Sequence, residues 1–313
     1  MKLDFVRGHM GGNLILLLKG WQLPRDNELN TVLKVMDPIY VHAHETGILY
    51  YPEEGADIKA RIVEPSSKCY ITACGGFTQV LGAALIETEL GKLFNINNNL
   101  KSSEVIVQTD CGPTSLILES NSGETRRVKT DMNSFVQECY DRGVRELVID
   151  NLPVMQAGKF LILNADLFKK NYPFADFIHW DQKTREAVTA IQHQFVRITG
   201  EVEYNVTLYD WNPERGGDLR VLYPHGVEED YFEPSCGTGT IALGIALLGS
   251  GELAAKRDSN SDLMVLKLES GGGYELGGPD LTELEMIIQN NKVSRALFSH
   301  SNVKITSVGE IWL

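Results

Sequence analysis

The segment Pro234-Ser235-Cys236-Gly237-Thr238-Gly239-Thr240 decides the fold, because it leads directly into the apolar residues 241–248. A similar segment, Cys74-Gly75-Gly76-Phe77-Thr78, stands earlier in the chain and is also followed by apolar residues. In each segment a cysteine and a glycine-containing turn precede a run that favours a helix. A helix that is apolar on nearly every side is normally buried. The sequence therefore predicts the same local structure twice, a cysteine at the start of a buried helix.

The two cysteines lie in different halves of the chain, which has 313 residues. A chain of this length usually forms two domains. We expect a first domain over 1–135 that carries Cys74 and a second over 136–313 that carries Cys236, with the last strand able to cross back to the first domain. Small-molecule sites form preferentially at domain interfaces. Two similar halves that face each other would bring both thiols to one cleft.

The first half has the pattern of a mostly β structure around one helix. Residues 78–90 place apolar side chains on one helix face, and Gly91 is suited to end that helix. Short apolar and β-branched runs favour strands. The predicted strands cover residues 3–7, 13–18, 57–63, 68–72, 104–108, 115–119 and 127–129.

The second half repeats this plan. Its central helix is predicted over 238–248 with a stop at Gly249-Ser250-Gly251, and a further helix is predicted over 134–142. The predicted strands cover residues 160–164, 194–198, 203–210, 218–222, 263–269 and 303–306. The predicted fold class is α+β, with two pseudo-symmetric domains, each a curled, mostly antiparallel, barrel-like sheet around a central apolar helix.

Composition narrows the function classes. The formal net charge of -13 argues against a nucleic-acid partner, because phosphate contacts need clustered Lys and Arg. The apolar runs are shorter than the 18 or so residues that a membrane span requires. The amino end lacks the charged, apolar and small-residue zones of a signal peptide. We therefore expect a cytoplasmic protein with no membrane or nucleic-acid partner.

The remaining candidate metal or redox residues carry weaker signals. Five cysteines is an odd number, so free thiols are favoured over a disulfide framework, and Cys69, Cys111 and Cys139 are interpreted as structural. His42 and His44 alternate without a further ligand at metal spacing, so we interpret them as surface residues. The run at 271–273 favours a β-turn over a phosphate loop, since no Lys-Ser/Thr follows it. No metal site is predicted.

Several segments together resemble a known family. They are Phe5-Val6-Arg7-Gly8-His9-Met10-Gly11-Gly12-Asn13, Cys74-Gly75-Gly76, Glu203-Tyr204-Asn205-Val206, the segment around Cys236, and Leu276-Gly277-Gly278-Pro279. The chain resembles the cofactor-independent amino-acid racemases and epimerases, which include diaminopimelate epimerase, proline racemase and histidine racemase. Two departures are the reordered turn before Asn13 and Gly76, which replaces a polar residue.

The resemblance implies roles for particular residues. Cys74 and Cys236 would be the catalytic acid/base pair, and no cofactor would be needed. The implied substrate-binding residues are Asn13, Gly75, Gly76, Asn205, Gly237 and Thr238, and a homodimer is a further expectation. Two of these positions keep a plainer alternative: Asn13 could merely hold its turn, and Asn205 could be an exposed polar residue on a strand.

The chemistry explains why such residues recur. The α-hydrogen of an amino acid is a very weak acid, so racemisation needs a base on one face of the carbon and a proton donor on the other. A free cysteine has a pKa of about 8.5 that a helix N-terminus lowers, so a thiolate is expected to be attainable near neutral pH. Helix N-termini also present unpaired N–H groups to the substrate carboxylate.

The substrate prediction rests on the residues before the second cysteine. The acidic and aromatic segment 228–235 suits a second carboxylate poorly, which disfavours diaminopimelate. Histidine or another polar amino acid is the hypothesis. The alternatives are a carbon-carbon double-bond isomerase of unsaturated polycarboxylic acids on the same fold, a non-catalytic amino-acid-binding protein and a thiol redox protein.

Overall fold

The computed structural model describes residues 1–52, 55–65, 67–97, 100–176, 181–200, 204–224, 232–256, 261–270 and 280–313. The chain divides into two compact units. Unit 1 is Met1–Ser134 with Ser299–Leu313, and unit 2 is Phe135–Phe298. The division into domains over 1–135 and 136–313 stays a prediction.

Unit 1 is a mostly antiparallel sheet that packs on one long helix. Its elements are β1 (Lys2–Met10), β2 (Asn13–Lys19), α1 (Glu28–Met36), β3 (Glu45–Tyr50), β4 (Ile58–Glu64), β5 (Cys69–Ile71), α2 (Gly75–Glu87), α3 (Glu89–Leu93), β6 (Ser102–Thr109), β7 (Gly112–Asn121), β8 (Glu124–Asp131) and β18 (Val303–Trp312). β1 lies between β2 and β18, antiparallel to both. The pairs β2–β3 and β4–β6 are parallel, whereas β3–β4, β6–β7 and β7–β8 are antiparallel.

The helix α2 forms the core of unit 1. All of its residues except the last are buried, and it contacts β1, β2, β7, β8 and β18. Its apolar side chains join those of the surrounding strands in one hydrophobic cluster. Gly47 of β3 permits this close approach, because a Cβ there would lie 2.1 Å from the ring of Phe77. The helix is apolar on all sides because strands surround it.

Unit 2 is built in a similar way. Its elements are α4 (Asn133–Arg142), β9 (Val144–Ile149), β10 (Leu152–Ala157), β11 (Phe160–Asn164), α5 (Ala165–Asn171), α6 (Gln182–Thr199), β12 (Asn205–Asp210), β13 (Leu219–Pro224), β14 (Phe232–Glu233), α7 (Gly237–Gly249), β15 (Leu263–Ser270), β16 (Asp280–Gln289) and β17 (Lys292–His300), of which α4 and β17 cross the unit boundaries. The strands β9, β10 and β11 form an antiparallel meander, and β11 pairs with β12 in parallel. The helix α7 is buried except at its last residue and contacts β9, β10, β11, β12 and β16.

The predicted α+β class is therefore confirmed, with a buried apolar helix against a mostly antiparallel sheet in each unit. The helix predicted over 134–142 is also present as α4. The stop at Gly249 is confirmed, because α7 ends there.

The strand predicted over 194–198 is wrong, because those residues belong to α6. The helix starts where the side chain of Asp181 accepts the N–H of Thr184, and it buries Val188, Ile191 and Phe195 on one face. A period of three to four residues over this length outweighs the strand preference of a five-residue window.

Gly91 does not end the first central helix as predicted. The helix α2 ends at Glu87, because the Thr88 hydroxyl donates to the carbonyl of Ala84 and accepts from Leu90 N–H. That cap starts the short helix α3, which contains Gly91. A Cβ on Gly91 would lie 2.1 Å from the carbonyl oxygen of Leu85, so glycine is required by close packing.

Some predictions fall outside the described residues. They are the turn at 271–273, the motif at 276–279, Glu203 of the predicted strand and residues 228–231 of the acidic segment. Among the helices of the described ranges, none combines the length and apolarity needed to cross a membrane.

Candidate active site

Cys236 caps the N-terminus of α7. Its backbone is extended, and its Sγ accepts the N–H of Gly239 at 3.4 Å. The hydroxyl of Thr240 donates to the Cys236 carbonyl oxygen at 2.7 Å, which fixes the first turn. Side-chain capping satisfies one of the four N–H groups that every helix start leaves unpaired. The predicted position of this thiol at the start of a buried helix is therefore confirmed.

A carboxylate and a hydroxyl lie beside the Cys236 thiol. The Glu233 side chain hydrogen-bonds the thiol, and Thr238 Oγ lies 3.3 Å from Sγ. Glu233 is only 8% exposed. Burial, followed by the charge of Glu233, raises the pKa of Cys236 well above its ordinary range, and these effects outweigh the Thr238 and Gly239 hydrogen bonds. This direction is opposite to the lowered pKa that the helix start predicts for this cysteine.

Further hydroxyl groups surround the start of α7. The Tyr223 hydroxyl lies 2.5 Å from Thr240 Oγ, and burial raises the pKa of Tyr223. Gly239 packs against that ring, since a Cβ there would lie 2.7 Å from Tyr223 Cε1. Ser270 links Ser235 to a neighbouring strand through a second hydroxyl pair. The thiol of unit 2 therefore lies among oxygen-bearing side chains.

The other predicted site residues of unit 2 differ in their burial and in the element that carries them. Gly237 and Thr238 are the first two residues of α7 and are buried. Asn205 begins β12, opposite Phe160 of β11, and is half-buried. A substrate contact by any of the three stays a prediction.

Cys74 caps α2 in the same manner as Cys236 caps α7. Its backbone is extended, and its Sγ accepts the N–H of Phe77 at 3.2 Å. The hydroxyl of Thr78 donates to the carbonyl of Gly75 at 2.8 Å. Gly75 and Gly76 are the first two helical residues and are buried. Each unit thus repeats a capping cysteine, a small-residue turn and a threonine.

Asn13 lies against the first turn of α2. It is fully buried at the start of β2, and a Cβ on Gly76 would lie 3.3 Å from its Nδ2. Its Oδ1 lies 3.1 Å from Nδ1 of His44, and the N–H of Leu14 donates to the same nitrogen at 3.0 Å. His44 is therefore half-buried beside a predicted site residue, so its interpretation as a surface residue is wrong.

Sequence reasoning missed a buried carboxylate in unit 1. Glu45 is 7% exposed and starts β3. By strand alternation its side chain is on the same face as Gly47 and Leu49, which belong to the face that packs on α2. An acidic residue at the start of the apolar run Thr46-Gly47-Ile48-Leu49 was the signal that could have found it. In the ranges that the structure describes, no three His, Cys, Asp or Glu side chains converge as metal ligands would.

Comparisons with known proteins identify the fold. No protein-family model matches the sequence, and no curated protein matches it. A phenazine biosynthesis protein of the PhzF family from Bacillus anthracis aligns with a TM-score of 0.66 at 13% identity, over 100% of both chains. A hydroxyproline epimerase from Agrobacterium vitis, with bound trans-4-hydroxy-L-proline, aligns with a TM-score of 0.65 at 11% identity, over 99% of this chain and 92% of that one.

A methylitaconate-delta-isomerase aligns as well, with a TM-score of 0.62 at 14% identity, over 99% of this chain and 95% of that one. At such low sequence identities the structural similarity shows a shared fold and does not show a shared reaction. The fold-level resemblance predicted from the two cysteine segments is confirmed. The chain therefore shares its fold with these three proteins.

Proposed function

We propose that this protein is an isomerase, a cofactor-independent amino-acid racemase or epimerase that uses Cys74 and Cys236 as paired acid and base. The observation that carries the proposal is the repeated cap. In each unit a buried cysteine accepts an N–H of the first turn of a buried helix, at 3.2 Å for Cys74 and 3.4 Å for Cys236. The fold shared with racemases, epimerases and isomerases supports the same reaction class.

The proposed reaction is a transfer of two protons. One thiolate removes the α-hydrogen as a proton, and the electron pair left on carbon delocalises into the carboxylate. The other thiol then donates its proton to the opposite face. The enzyme ends with the two protonation states exchanged, so each cysteine is the base for one enantiomer. Burial and Glu233 hold Cys236 as a thiol, which favours Cys236 as the donor in the first turnover.

The helix starts would bind the substrate carboxylate. Backbone N–H groups of Gly75 and Gly76 begin α2, and those of Gly237 and Thr238 begin α7. A helix N-terminus carries partial positive charge and favours anions. The same donors stabilise the extra negative charge of the transition state, and removal of one such donor typically costs about 3 kcal/mol.

Glu233 favours an amino acid over an unsaturated polycarboxylic acid. The buried carboxylate hydrogen-bonds the Cys236 thiol, so it lies beside the reacting group. Like charges about 4 Å apart repel by about 4 kcal/mol at an effective dielectric constant of about 20. A second substrate carboxylate near Glu233 is therefore unfavourable, whereas an ammonium or imidazolium group is favourable. The substrate we propose is histidine or another polar amino acid.

The test is a panel of single L-amino acids incubated with the protein in deuterated water. We expect deuterium at the α-carbon and the D-enantiomer with at least one of them, and no exchange by the Cys74→Ser/Cys236→Ser double variant. Exchange only with an unsaturated polycarboxylic acid would favour the double-bond isomerase. Tight binding by calorimetry without exchange would identify an amino-acid-binding protein. The homodimer and the cytoplasmic location stay predictions.

A further inference from the structure

His300, the last residue of β17, is a buried polar group that the proposed reaction does not use. It belongs to unit 1 and is 5% exposed. Its Nδ1 accepts the N–H of Asn302 at 3.0 Å, so the ring proton of the neutral imidazole is on Nε2. Within the described ranges, Nε2 has no hydrogen-bond partner.

This Nε2–H is an uncharged donor at neutral pH. Burial lowers the pKa of His300 to about 4, against a weaker opposing effect of the Asn302 hydrogen bond. Buried polar atoms in native proteins nearly always have a partner, because an unsatisfied donor loses its hydration without compensation. A buried donor that lacks a protein partner therefore calls for an acceptor from outside the protein, which is either a bound water or a ligand atom.

The contacts of His300 place it near the start of α2. Its backbone N–H donates to Oε1 of Gln79, in the helix segment that follows the Cys74 cap, at 3.2 Å. Asn302 accepts the N–H of Gly11 at 2.8 Å, in the turn that leads to Asn13. His9, on the β1–β2 hairpin that carries this turn, is a titratable neighbour whose charge would lower the pKa of the imidazole. The backbone of His300 is thus held at α2, and its ring bonds Asn302, whose carbonyl contacts the turn that precedes Asn13.

We propose that Nε2–H of His300 donates a hydrogen bond to a carboxylate oxygen of the ligand that binds unit 1. The ligand must supply an acceptor, which a carboxylate does and an ammonium group does not. A neutral donor held close to the first turns of α2 would add directionality to a carboxylate site there without adding a cation. The identity of the carboxylate as that of an amino-acid substrate rests on the function proposed above.

The competing interpretation is structural, in which His300 serves only to satisfy Asn302 N–H. Two variants separate the interpretations, because the side chain of Asn reproduces Nδ1 and that of Gln reproduces Nε2. His300→Asn keeps an acceptor for Asn302 and removes the distal donor. His300→Gln keeps the distal donor and removes the acceptor. A ligand role predicts that His300→Asn binds more weakly, and a structural role predicts that His300→Gln is the damaged variant.

The experiment follows the Nε2–H resonance of His300 in the full chain labelled with 15N-histidine, with His300→Asn as the assignment control. Acetate and the single L-amino acids are the probes, and methylammonium and sodium chloride are the controls. We expect acetate and at least one amino acid to shift the resonance, and methylammonium to leave it unchanged. We also expect His300→Asn to bind the amino acid roughly fivefold to tenfold more weakly, the effect of one lost hydrogen bond.

The proposal is overturned if no carboxylate probe moves the resonance, or if His300→Asn binds as tightly as the natural chain. The resonance of the natural chain decides the question even if a variant fails to fold. A shift with acetate but no α-deuterium exchange with any amino acid would retain the carboxylate donor and reject the racemase. Exchange of the α-hydrogen without a shift of the resonance would retain the racemase and reject the carboxylate donor.

Discussion

The starts of α2 and α7 share one geometry and differ in their surroundings. Both helices have 13 residues, and each begins at a capping cysteine. The Cys236 thiol contacts a carboxylate and a hydroxyl. The nitrogen-bearing side chains near the first turns of α2 are instead those of Asn13, His44, Gln79 and His300. One buried carboxylate, Glu45, lies on the strand that packs on this helix.

This difference indicates how two similar helix starts could hold a substrate whose two ends differ. The helix N-termini and thiols supply the same chemistry in both units. Under the proposed function, the neutral N–H side chains of unit 1 would add donors for the carboxylate bound at the helix starts, and Glu233 in unit 2 would attract the ammonium group. Under this account the repeated cap sets the reaction, and the neighbouring side chains set the orientation of the substrate.

The largest predicted effect is a loss of α-deuterium exchange, and it identifies the acid or base of unit 1. Cys74→Ser should slow α-deuterium exchange by at least about a hundredfold, the usual contribution of a general acid or base. Glu45→Gln should slow the exchange less, because it leaves the capping thiol in place. Initial exchange rates measure both, with thermal unfolding as the control for folding. A severe loss in Glu45→Gln with little loss in Cys74→Ser would make the carboxylate the base and break the comparison.

The second prediction concerns the buried imidazole of unit 1. The folded pKa of His300 is about 4, below the unfolded value of 6.5, so the folded state takes up fewer protons than the unfolded state between these values. Its contribution is fully present above pH 6.5 and is lost as the pH falls towards 4, by about 3 kcal/mol in all. Urea unfolding at pH 7 and pH 4.5 should show this loss in the natural chain and not in His300→Asn. Parallel pH dependence in the two proteins would contradict it.

The third prediction compares a glycine at each helix start. A Cβ on Gly239 would lie 2.7 Å from the buried ring of Tyr223, whereas one on Gly76 would lie 3.0 Å from the end of the Ile15 side chain. Gly239→Ala should therefore lower the free energy of unfolding by about 1–3 kcal/mol, the typical cost of overpacking. Gly76→Ala should cost less, because Ile15 can shift. Chemical denaturation measures both, and an equal cost would show that the two turns are packed alike.

The smallest effect concerns the carboxylate of unit 2. Glu233→Gln removes a negative charge beside Cys236, so the pKa of the thiol should fall. The pH at which Cys236 is half-maximally alkylated, followed by mass spectrometry of its peptide, should move to lower pH. Glu252→Gln is a matched control in the same unit, since Glu252 bonds Tyr209 and Trp211 rather than the thiol. An unchanged midpoint in Glu233→Gln would remove the difference between the two thiols.

The parts of the fold that local pattern determines were predictable. Both central helices follow from a cysteine and glycine turn before a long apolar run, and β2 and β11 follow from short apolar segments. The strand β3 was missed, because Glu45 and Gly47 interrupt its apolar pattern, although both positions are buried by packing on α2. Local pattern cannot supply that contact.

The candidate site likewise has a part that local sequence predicts and a part that it does not. The capping cysteines and their small-residue turns are encoded in contiguous sequence. The roles of His44 and His300 depend on contacts with residues far along the chain, at Asn13 and Gln79. The raised pKa of Cys236 depends on burial that helix-start chemistry alone does not reveal.

The central claim is that two thiols serve the two faces of one carbon, and the distribution of solvent deuterium tests it most directly. A pure L-amino acid from the panel is incubated in deuterated water, and the reaction is stopped early. The account predicts deuterium at the α-carbon of the D-product, while the recovered L-substrate keeps its hydrogen, because different groups remove and return the proton. Hydrogen retained in the product, or equal deuterium in both enantiomers from the start, would point to a single base and contradict the account.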